Sequence, residues 1–209
     1  MQLHIFELQG SEKEGVTIWY IVQCRNQKSQ KFFSACREYL SGEALQDVFV
    51  ITYDRMRRYE GSWHLERQFL FPDYVFLESQ DKERLTRELE KTPGVRELLP
   101  DCSSITPLKP EEEAFLRSLC GANHHLGMSR GVIRDGQPFV TEGPLRGKEQ
   151  LIRRIDRHKR MARVEIPSAI RVRGSQETME TNCEKRGQKE KNVELFRELQ
   201  MGLEIVSKS

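Results

Sequence analysis

Hydrophobic positions in the first half of the chain form three dense runs that predict strands. The runs lie at residues 17–24, 48–53 and 68–77, and β-branched and aromatic residues dominate them. Pro72 in the third run marks an edge or a bend, because proline cannot donate a hydrogen bond to a neighbouring strand. A shorter apolar run at 95–99 predicts a closing strand.

Two amphipathic helices separate these strands. Apolar residues recur at helical spacing over 28–40, and Leu85 and Leu89 lie four positions apart within 82–91. The sequence Thr92-Pro93-Gly94 ends the second helix. The resulting order, β-α-β-β-α-β, is typical of a split β-α-β, ferredoxin-like domain.

The pattern changes in the second half of the chain. Residues 107–120 predict a short helix with three glutamates near its start, and residues 121–127 predict a linker. Short strands and turns follow, which favours a small β-barrel. The predicted strands of this barrel lie at residues 138–141, 151–155, 162–166 and 193–206.

The predicted fold class is therefore α+β. The ferredoxin-like domain spans 16–106, a helix and linker span 107–127, and the barrel domain spans 128–209, with a polar insertion at about 168–192. Hydrophobic residues make up 37% of the chain and charged residues 32%, so each core is small. This balance favours two compact domains over one large domain.

Several classes of protein are excluded by the sequence. No apolar run is long enough to span a membrane. Glu7, Glu12 and Glu14 lie where a secretion signal would need an apolar stretch. The five cysteines contain no CxxC pair, which argues against a disulfide framework and for a reducing cytoplasm.

Positive charge is concentrated in one predicted hairpin. Residues 146–165 contain eight Lys or Arg and three acids, a balance of +5 against +2 for the whole chain. Such a cluster indicates phosphate binding, although a solvated basic turn would have the same composition. The candidate phosphate contacts, which the resemblance described below implies to be RNA contacts, are Arg146, Lys148, Arg153, Arg154, Arg157, His158, Lys159 and Arg160.

The sequence contains no pattern typical of an enzyme. His124 and His125 lie near Cys120, but their spacing does not suit a zinc site. No nucleophile elbow, P-loop or dinucleotide fingerprint occurs. We therefore expect no catalytic residue, no metal and no cofactor.

Several segments together resemble the NusG family of transcription elongation factors. WYIVQC at 19–24, FPDYVFL at 71–77 and TPGV at 92–95 resemble its N-terminal domain, although the family usually has glycine in place of Asp73. Residues 140–166 resemble a KOW motif, which implies a small SH3-like barrel. Within the family, GPLRGKE, IDRHKRMA and the late GLEIV most resemble LoaP-type antitermination paralogues.

The resemblance implies a polymerase-binding surface on the N-terminal domain. In the family, residues that match Tyr74 and Phe76 grip the clamp helices of RNA polymerase, and alternation in a strand places both on one face, away from Val75. The alternative is that the aromatic residues form the core. The candidate polymerase contacts are Tyr20, Phe32, Phe71, Tyr74 and Phe76.

Basic residues at two further places also have two interpretations. Arg25, Lys28 and Lys31, at the start of the first helix, form a solvated face or contact the non-template DNA strand, as the resemblance implies. Residues 55–63 predict a basic hairpin tip that turns at Glu60-Gly61. The arginines of this hairpin could also contact the non-template DNA strand, or they could contact the polymerase lobe.

The function expected from these observations is transcription antitermination or elongation. The N-terminal domain would bind RNA polymerase, and the KOW domain would bind a nascent leader RNA hairpin. We expect a cytoplasmic monomer without membrane contact. One alternative is a KOW-type RNA-binding module in ribosome assembly or transcription-translation coupling. Another is a housekeeping NusG whose KOW domain binds proteins, against which the basic hairpin argues.

Overall fold

The structure is a computed structural model that describes residues 16–24, 28–99, 105–166 and 198–208. The elements of the N-terminal part are β1 (Ile18–Gln23), α1 (Ser29–Tyr39), β2 (Asp47–Phe49), β3 (Thr52–Tyr59), β4 (Ser62–Phe69), β5 (Tyr74–Ser79), α2 (Lys82–Lys91), α3 (Pro93–Arg96) and β6 (Thr106–Pro107). The later elements are α4 (Pro110–Cys120), β7 (His125–Leu126), β8 (Ser129–Arg134), β9 (Gln137–Glu142), β10 (Ile152–Asp156), β11 (Met161–Glu165) and β12 (Glu198–Lys208). Within these ranges, no helix has the length and apolar character needed to cross a bilayer.

The N-terminal sheet has the strand order β2-β5-β1-β6, and every pair in it is antiparallel. Helix α1 connects β1 to β2, while β5 lies between these two strands. This is the split β-α-β arrangement that the sequence predicts. The predicted helices at 28–40 and 82–91 are confirmed as α1 and α2.

Alternate residues of β1 enter two different cores, one on each face of the sheet. Tyr20 and Val22 belong to the core that α1 and α2 cover. Trp19 and Ile21 belong to the core on the opposite face. The sheet is therefore buried on both sides, which explains why the run at 17–24 is almost continuously apolar.

The prediction of a closing strand at 95–99 is wrong. Pro93 begins the short helix α3, and Val95 is fully buried within it. Proline favours the first turn of a helix, because its φ angle already suits the helix and its missing N–H would have no partner there. The two-residue strand β6 supplies the sheet edge instead, where Thr106 pairs with Ile21.

Two of the predicted strands are each divided in the structure. The run at 48–53 contains most of β2 and the start of β3, and the run at 68–77 contains the end of β4 and most of β5. Strands β3 and β4 leave the main sheet as a hairpin, and Pro72 lies at the point of return. The predicted turn at Glu60-Gly61 is confirmed, and both residues have positive φ (51° and 77°), as a type I′ turn requires.

The C-terminal strands form a five-stranded sheet in the order β10-β11-β12-β8-β9. The middle strand, β12, pairs antiparallel with β11 and parallel with β8. Among the described residues the outer strands β10 and β9 are not paired with each other, so a closed barrel is not confirmed. The polar segment predicted at about 168–192 lies outside the described residues.

One apolar core extends from the N-terminal sheet into the C-terminal strands. It includes Trp19 and Phe76 from the first sheet, Phe115 from α4, and Val164 and Met201 from the second sheet. The segment at 121–127, predicted as a linker, contains β7, which pairs in parallel with β3. The two sheets therefore pack together in this structure.

Candidate functional site

The five candidate polymerase contacts are distributed over both faces of the N-terminal sheet. Tyr20 and Phe32 are buried in the core beneath α1 and α2. Phe71 and Phe76 are buried in the opposite core, where Phe76 has no exposed surface. Tyr74 is half-buried and packs against that same core.

Phe76 is held by a set of aromatic rings. Its ring stacks on Phe49 with centroids 5.4 Å apart, and the centroid of Trp19 lies 6.1 Å away in an edge-on arrangement. Phe71 completes the set with its ring centroid 5.7 Å from that of Phe76. Tyr74 and Phe76 share a face of β5, whereas Val75 enters the other core, as strand alternation predicts.

The two described cations at the start of α1 are exposed to solvent. Lys28 occupies the N-cap position of the helix, and Lys31 lies in its first turn. The hydroxyl of Ser29 donates a hydrogen bond of 3.1 Å to the carbonyl oxygen of Pro72, which ties the helix start to the loop before Tyr74. Arg25 lies outside the described residues.

The β3–β4 hairpin carries exposed arginines and aromatic rings. Arg57 forms an ion pair of 3.7 Å with Glu66. Near the turn, Tyr59 stacks on His64 with ring centroids 3.7 Å apart. The hairpin also approaches the C-terminal sheet, because the guanidinium of Arg160 lies 4.2 Å from the ring centroid of Trp63.

The predicted basic hairpin is confirmed as β10 and β11 with a turn between them. The backbone N–H of Lys159 donates a 2.9 Å hydrogen bond to the carboxylate of Asp156, which fixes the turn. Arg157, His158 and Lys159 project from this turn and are exposed, as are Arg146, Arg153 and Arg154, whereas Lys148 and Arg160 are half-buried.

The cations of the basic hairpin divide into two groups by their partners. Arg153 pairs with Glu165, and Arg160 pairs with Glu204 at 2.7 Å. Arg154, Arg157 and Lys159 form no ion pair with any of the described side chains. This second group is the one that can accept phosphate without first breaking an internal contact.

Next to this group, Gln200 was missed from the sequence, and Arg163 was counted among the cations of the hairpin without being named as a candidate RNA contact. Arg163 and Gln200 line a cleft together with Arg154 and Lys159. Arg163 could have been found, because it alternates with buried Ala162 and Val164. Gln200 could not, since only the pairing of β12 with β11 brings it there.

A second polar cluster lies beside Trp19. Ligand atoms of Asp47, Glu78 and His124 lie within 4.8 Å of one another, which is a spacing that can hold a metal ion. The guanidinium of Arg117 donates a 3.0 Å hydrogen bond to Glu78, and also lies 4.3 Å from the Trp19 ring centroid. This positive charge disfavours a divalent cation at the cluster.

The electrostatics of this cluster are those of a structural ion-pair network. Burial acts to raise the pKa of Glu78, but hydrogen bonds from Thr17 and Arg117 outweigh burial and lower that pKa. Burial lowers the pKa of His124, against the opposing effect of Asp47. The lowered pKa values favour an ionised Glu78 carboxylate beside a neutral His124 imidazole.

The described thiols are not poised for nucleophilic chemistry. Cys24 and Cys36 are fully buried, and burial raises the pKa of each thiol to about 12. Burial likewise raises the pKa of Cys120 to about 11. Because the thiolate is the reactive species, these cysteines serve as core residues.

The N-terminal sheet and its covering helices thus form a ferredoxin-like α+β domain with a long hairpin inserted between its second and third strands. Residues 17–117 match the protein family described as Transcription termination factor nusG. Just under half of the chain is therefore similar to a NusG-family domain, which supports a NusG-like protein. The comparison with curated proteins found no significant match.

The family match connects the matched domain with transcription. NusG-family proteins are non-enzymatic factors of transcription elongation and termination, and RNA polymerase is the kind of partner that they bind. The matched residues include β1, β5 and most of α4, and hence the aromatic rings around Phe76. The basic hairpin of β10 and β11 lies beyond the match.

Proposed function

We propose that this protein is a processive antitermination factor of the LoaP type. Its N-terminal domain binds the clamp helices of RNA polymerase, and its C-terminal KOW domain binds a nascent RNA hairpin in the cytoplasm. The observation that carries this proposal is the basic hairpin, in which Arg154, Arg157 and Lys159 are exposed and unpaired among the described residues. A protein-binding KOW domain has no need of such a cluster.

The assignment of a KOW domain is supported by the local geometry of the C-terminal sheet. Gly147, the glycine of the motif, has a φ of 75° in the turn between β9 and β10. Glycine adopts this conformation without the steric cost that other residues incur. The carboxylate of Glu149 accepts a 3.1 Å hydrogen bond from the N–H of Val140 and so fastens this turn to β9.

Polymerase binding through Phe71 and Phe76 requires a change in the packing described above. Both residues belong to the core that extends through α4 into the C-terminal strands. The surface becomes available to a partner helix only when part of this cover separates from the sheet. Tyr74 is accessible before that change, because it lies at the margin of the core.

The substitution Tyr74→Ala tests polymerase binding. We expect loss of RNA polymerase in a pull-down assay, with the thermal unfolding temperature nearly unchanged, because Tyr74 is only half-buried. Phe76→Ala is less informative, since truncation of a buried phenylalanine costs about 3–5 kcal/mol of stability. The matched control is Tyr39→Ala on α1, whose tyrosine is 54% exposed. Normal polymerase recovery with Tyr74→Ala contradicts the proposal.

The double substitution Arg157→Ala with Lys159→Ala tests RNA binding at the hairpin turn. Charge-assisted hydrogen bonds are worth roughly 1.5–3 kcal/mol, so we expect RNA affinity to fall by at least about tenfold. The slope of the logarithm of affinity against the logarithm of salt concentration should also become shallower by about one for each lost phosphate contact. A mobility-shift assay with leader RNA across salt concentrations measures both effects.

The control for this pair removes two exposed cations from α2, with Arg87→Ala and Lys91→Ala. Equal affinity and equal salt dependence for the two double variants would place RNA binding elsewhere. Lys28 and Lys31 are proposed contacts to the non-template strand. Transcription through a terminator, with and without the leader, then reports on antitermination itself.

A further inference from the structure

A cleft opens on the outer face of the C-terminal sheet, beside the turn of the basic hairpin. Its volume is about 200 Å³, and its walls include Arg154, Lys159, Arg163 and Gln200, with Asp156 at one side. Pockets for small molecules usually measure about 300–1,000 Å³, so this cleft suits a small part of a larger ligand rather than a whole small molecule.

Strand register places three of these side chains in one row. Arg154 lies opposite Arg163 in the β10–β11 pair, and Arg163 lies opposite Gln200 in the β11–β12 pair. Their neighbours Ala162 and Leu199 are buried on the other face of the sheet. The row therefore crosses three strands and faces solvent along its whole length.

The row brings two like charges together. Guanidinium groups at directly opposed positions of an antiparallel pair repel each other and destabilise the pair. Glu198 offsets part of this repulsion, because its carboxylate lies 3.3 Å from Nε of Arg163. Arg154 has no ion pair with the described residues, so a positive charge remains at the cleft. An anion between the two arginines would relieve the repulsion.

The uncharged part of the cleft can distinguish between ligands that carry the same negative charge. Gln200 offers an amide that both donates and accepts hydrogen bonds, which matches the mixed edge of a nucleobase. The carboxylate of Asp156 is already held by the backbone of Lys159 and supports the wall. Bases are accessible to such a wall only where they are unstacked, as in an RNA loop.

We propose that this cleft binds one phosphodiester of a single-stranded RNA loop together with its unstacked base. Arg154 and Arg163 clasp the phosphate, and Gln200 contacts the base edge. This inference rests on the proposed RNA-binding function and extends its site from the hairpin turn to the face of β11 and β12. It predicts that loop RNA binds more tightly than fully paired RNA.

The experiment measures fluorescence anisotropy of the full chain with two RNA probes. One is a hairpin with an all-adenosine loop, and the other is a fully paired duplex of the same stem. Arg163→Gln should weaken hairpin binding by about tenfold and make the salt dependence shallower by about one. Gln200→Ala should lower the ratio of hairpin affinity to duplex affinity, while the salt dependence of hairpin binding stays the same.

Arg134→Gln is the matched control, because it removes one exposed arginine from β8 in the same sheet. If Arg163→Gln binds the hairpin as Arg134→Gln does, the cleft is not the site, although RNA binding by the protein stands. If the wild-type chain binds neither probe at low salt, both this inference and the proposed RNA binding are overturned.

A second variant guards against a folding defect in Arg163→Gln. Arg163→Lys keeps the charge but loses the planar fork that holds phosphate through two hydrogen bonds. We expect an affinity between those of the wild type and Arg163→Gln, with the wild-type salt dependence. Wild-type affinity for Arg163→Lys together with unchanged preference for the loop in Gln200→Ala would overturn the proposed contacts.

Discussion

His124 lies where the short turn Gly121–Asn123 meets the N-terminal sheet. Its φ is 50°, in the left-handed region, and its ring stacks on Phe49 with centroids 3.5 Å apart. Asp47 lies 3.8 Å from Nδ1, and the charges of Glu78 and Arg117 also act on the ring. Burial has the largest effect and lowers the pKa of His124 below its ordinary value.

This lowered pKa predicts a loss of stability in mild acid. The unfolded chain titrates His124 near pH 6.5 and binds its proton more readily than the folded chain does. The contribution of His124 is therefore complete above about pH 6.5 and declines as the pH falls below that value. His124→Asn should reduce this decline between about pH 7.5 and 5.5, because asparagine does not titrate and tolerates positive φ.

Chemical denaturation at the two pH values measures the effect. His158→Asn is the control, since His158 is exposed at the hairpin turn. Glu78 also has a lowered pKa, and its contribution is lost only in stronger acid. An equal pH dependence for His124→Asn and the wild type would show that the imidazole does not titrate as its burial implies.

At the level of single residues, the sequence predicted the direction of side chains better than it predicted their burial. Alternation placed Tyr74 and Phe76 on one face and Val75 on the other, as the two cores confirm. The cover over Phe76 could not be predicted, because it comes from α4 and from strands far along the chain. Gln200 was missed for the same reason.

At the level of secondary structure, the periodicity of apolar residues predicted the helices and strands that bury only one of their faces. Helices α1 and α2 and the hairpin of β10 and β11 have one apolar side each, which the sequence shows directly. The boundary between β2 and β3 was invisible, because Val50 and Ile51 continue the apolar run while the backbone changes sheets. Strand β6 is too short to show any period.

The crossing of β12 over β3 depends on one glycine. A Cβ atom on Gly202 would lie 2.5 Å from the backbone oxygen of Asp54, which is closer than any such contact allows, and would also collide with the side chain of Met128. Gly202→Ala should therefore push β12 away from β3 and lower the free energy of unfolding by about 1–3 kcal/mol.

Denaturant unfolding measures this loss. Gly42→Ala is the control, because a Cβ at Gly42 meets no atom within 4 Å. We expect the control to change stability by less than about 0.5 kcal/mol. Equal midpoints for the two variants would mean that the approach of β12 to β3 adjusts without cost.

Over the whole molecule, the shared core links the two halves of the proposed function. Phe76 and Met201 lie in one apolar cluster. A partner helix that replaces the C-terminal strands on the first sheet must therefore bury about as much apolar area as those strands do. The cleft that we propose to bind RNA lies on the outer face of the same strands. Separation of the strands from the first sheet therefore leaves the cleft intact.

The central position of β12 has a consequence for the order in which the protein is made. The ribosome synthesises β8, β9, β10 and β11 first, and the strand that joins the two hairpins follows them. Until then, β8 and β11 each present an unpaired edge, which is a hazard for aggregation. Gln200 arrives with β12, so the contact that we propose between Gln200 and RNA cannot form before this last strand of the sheet has been translated.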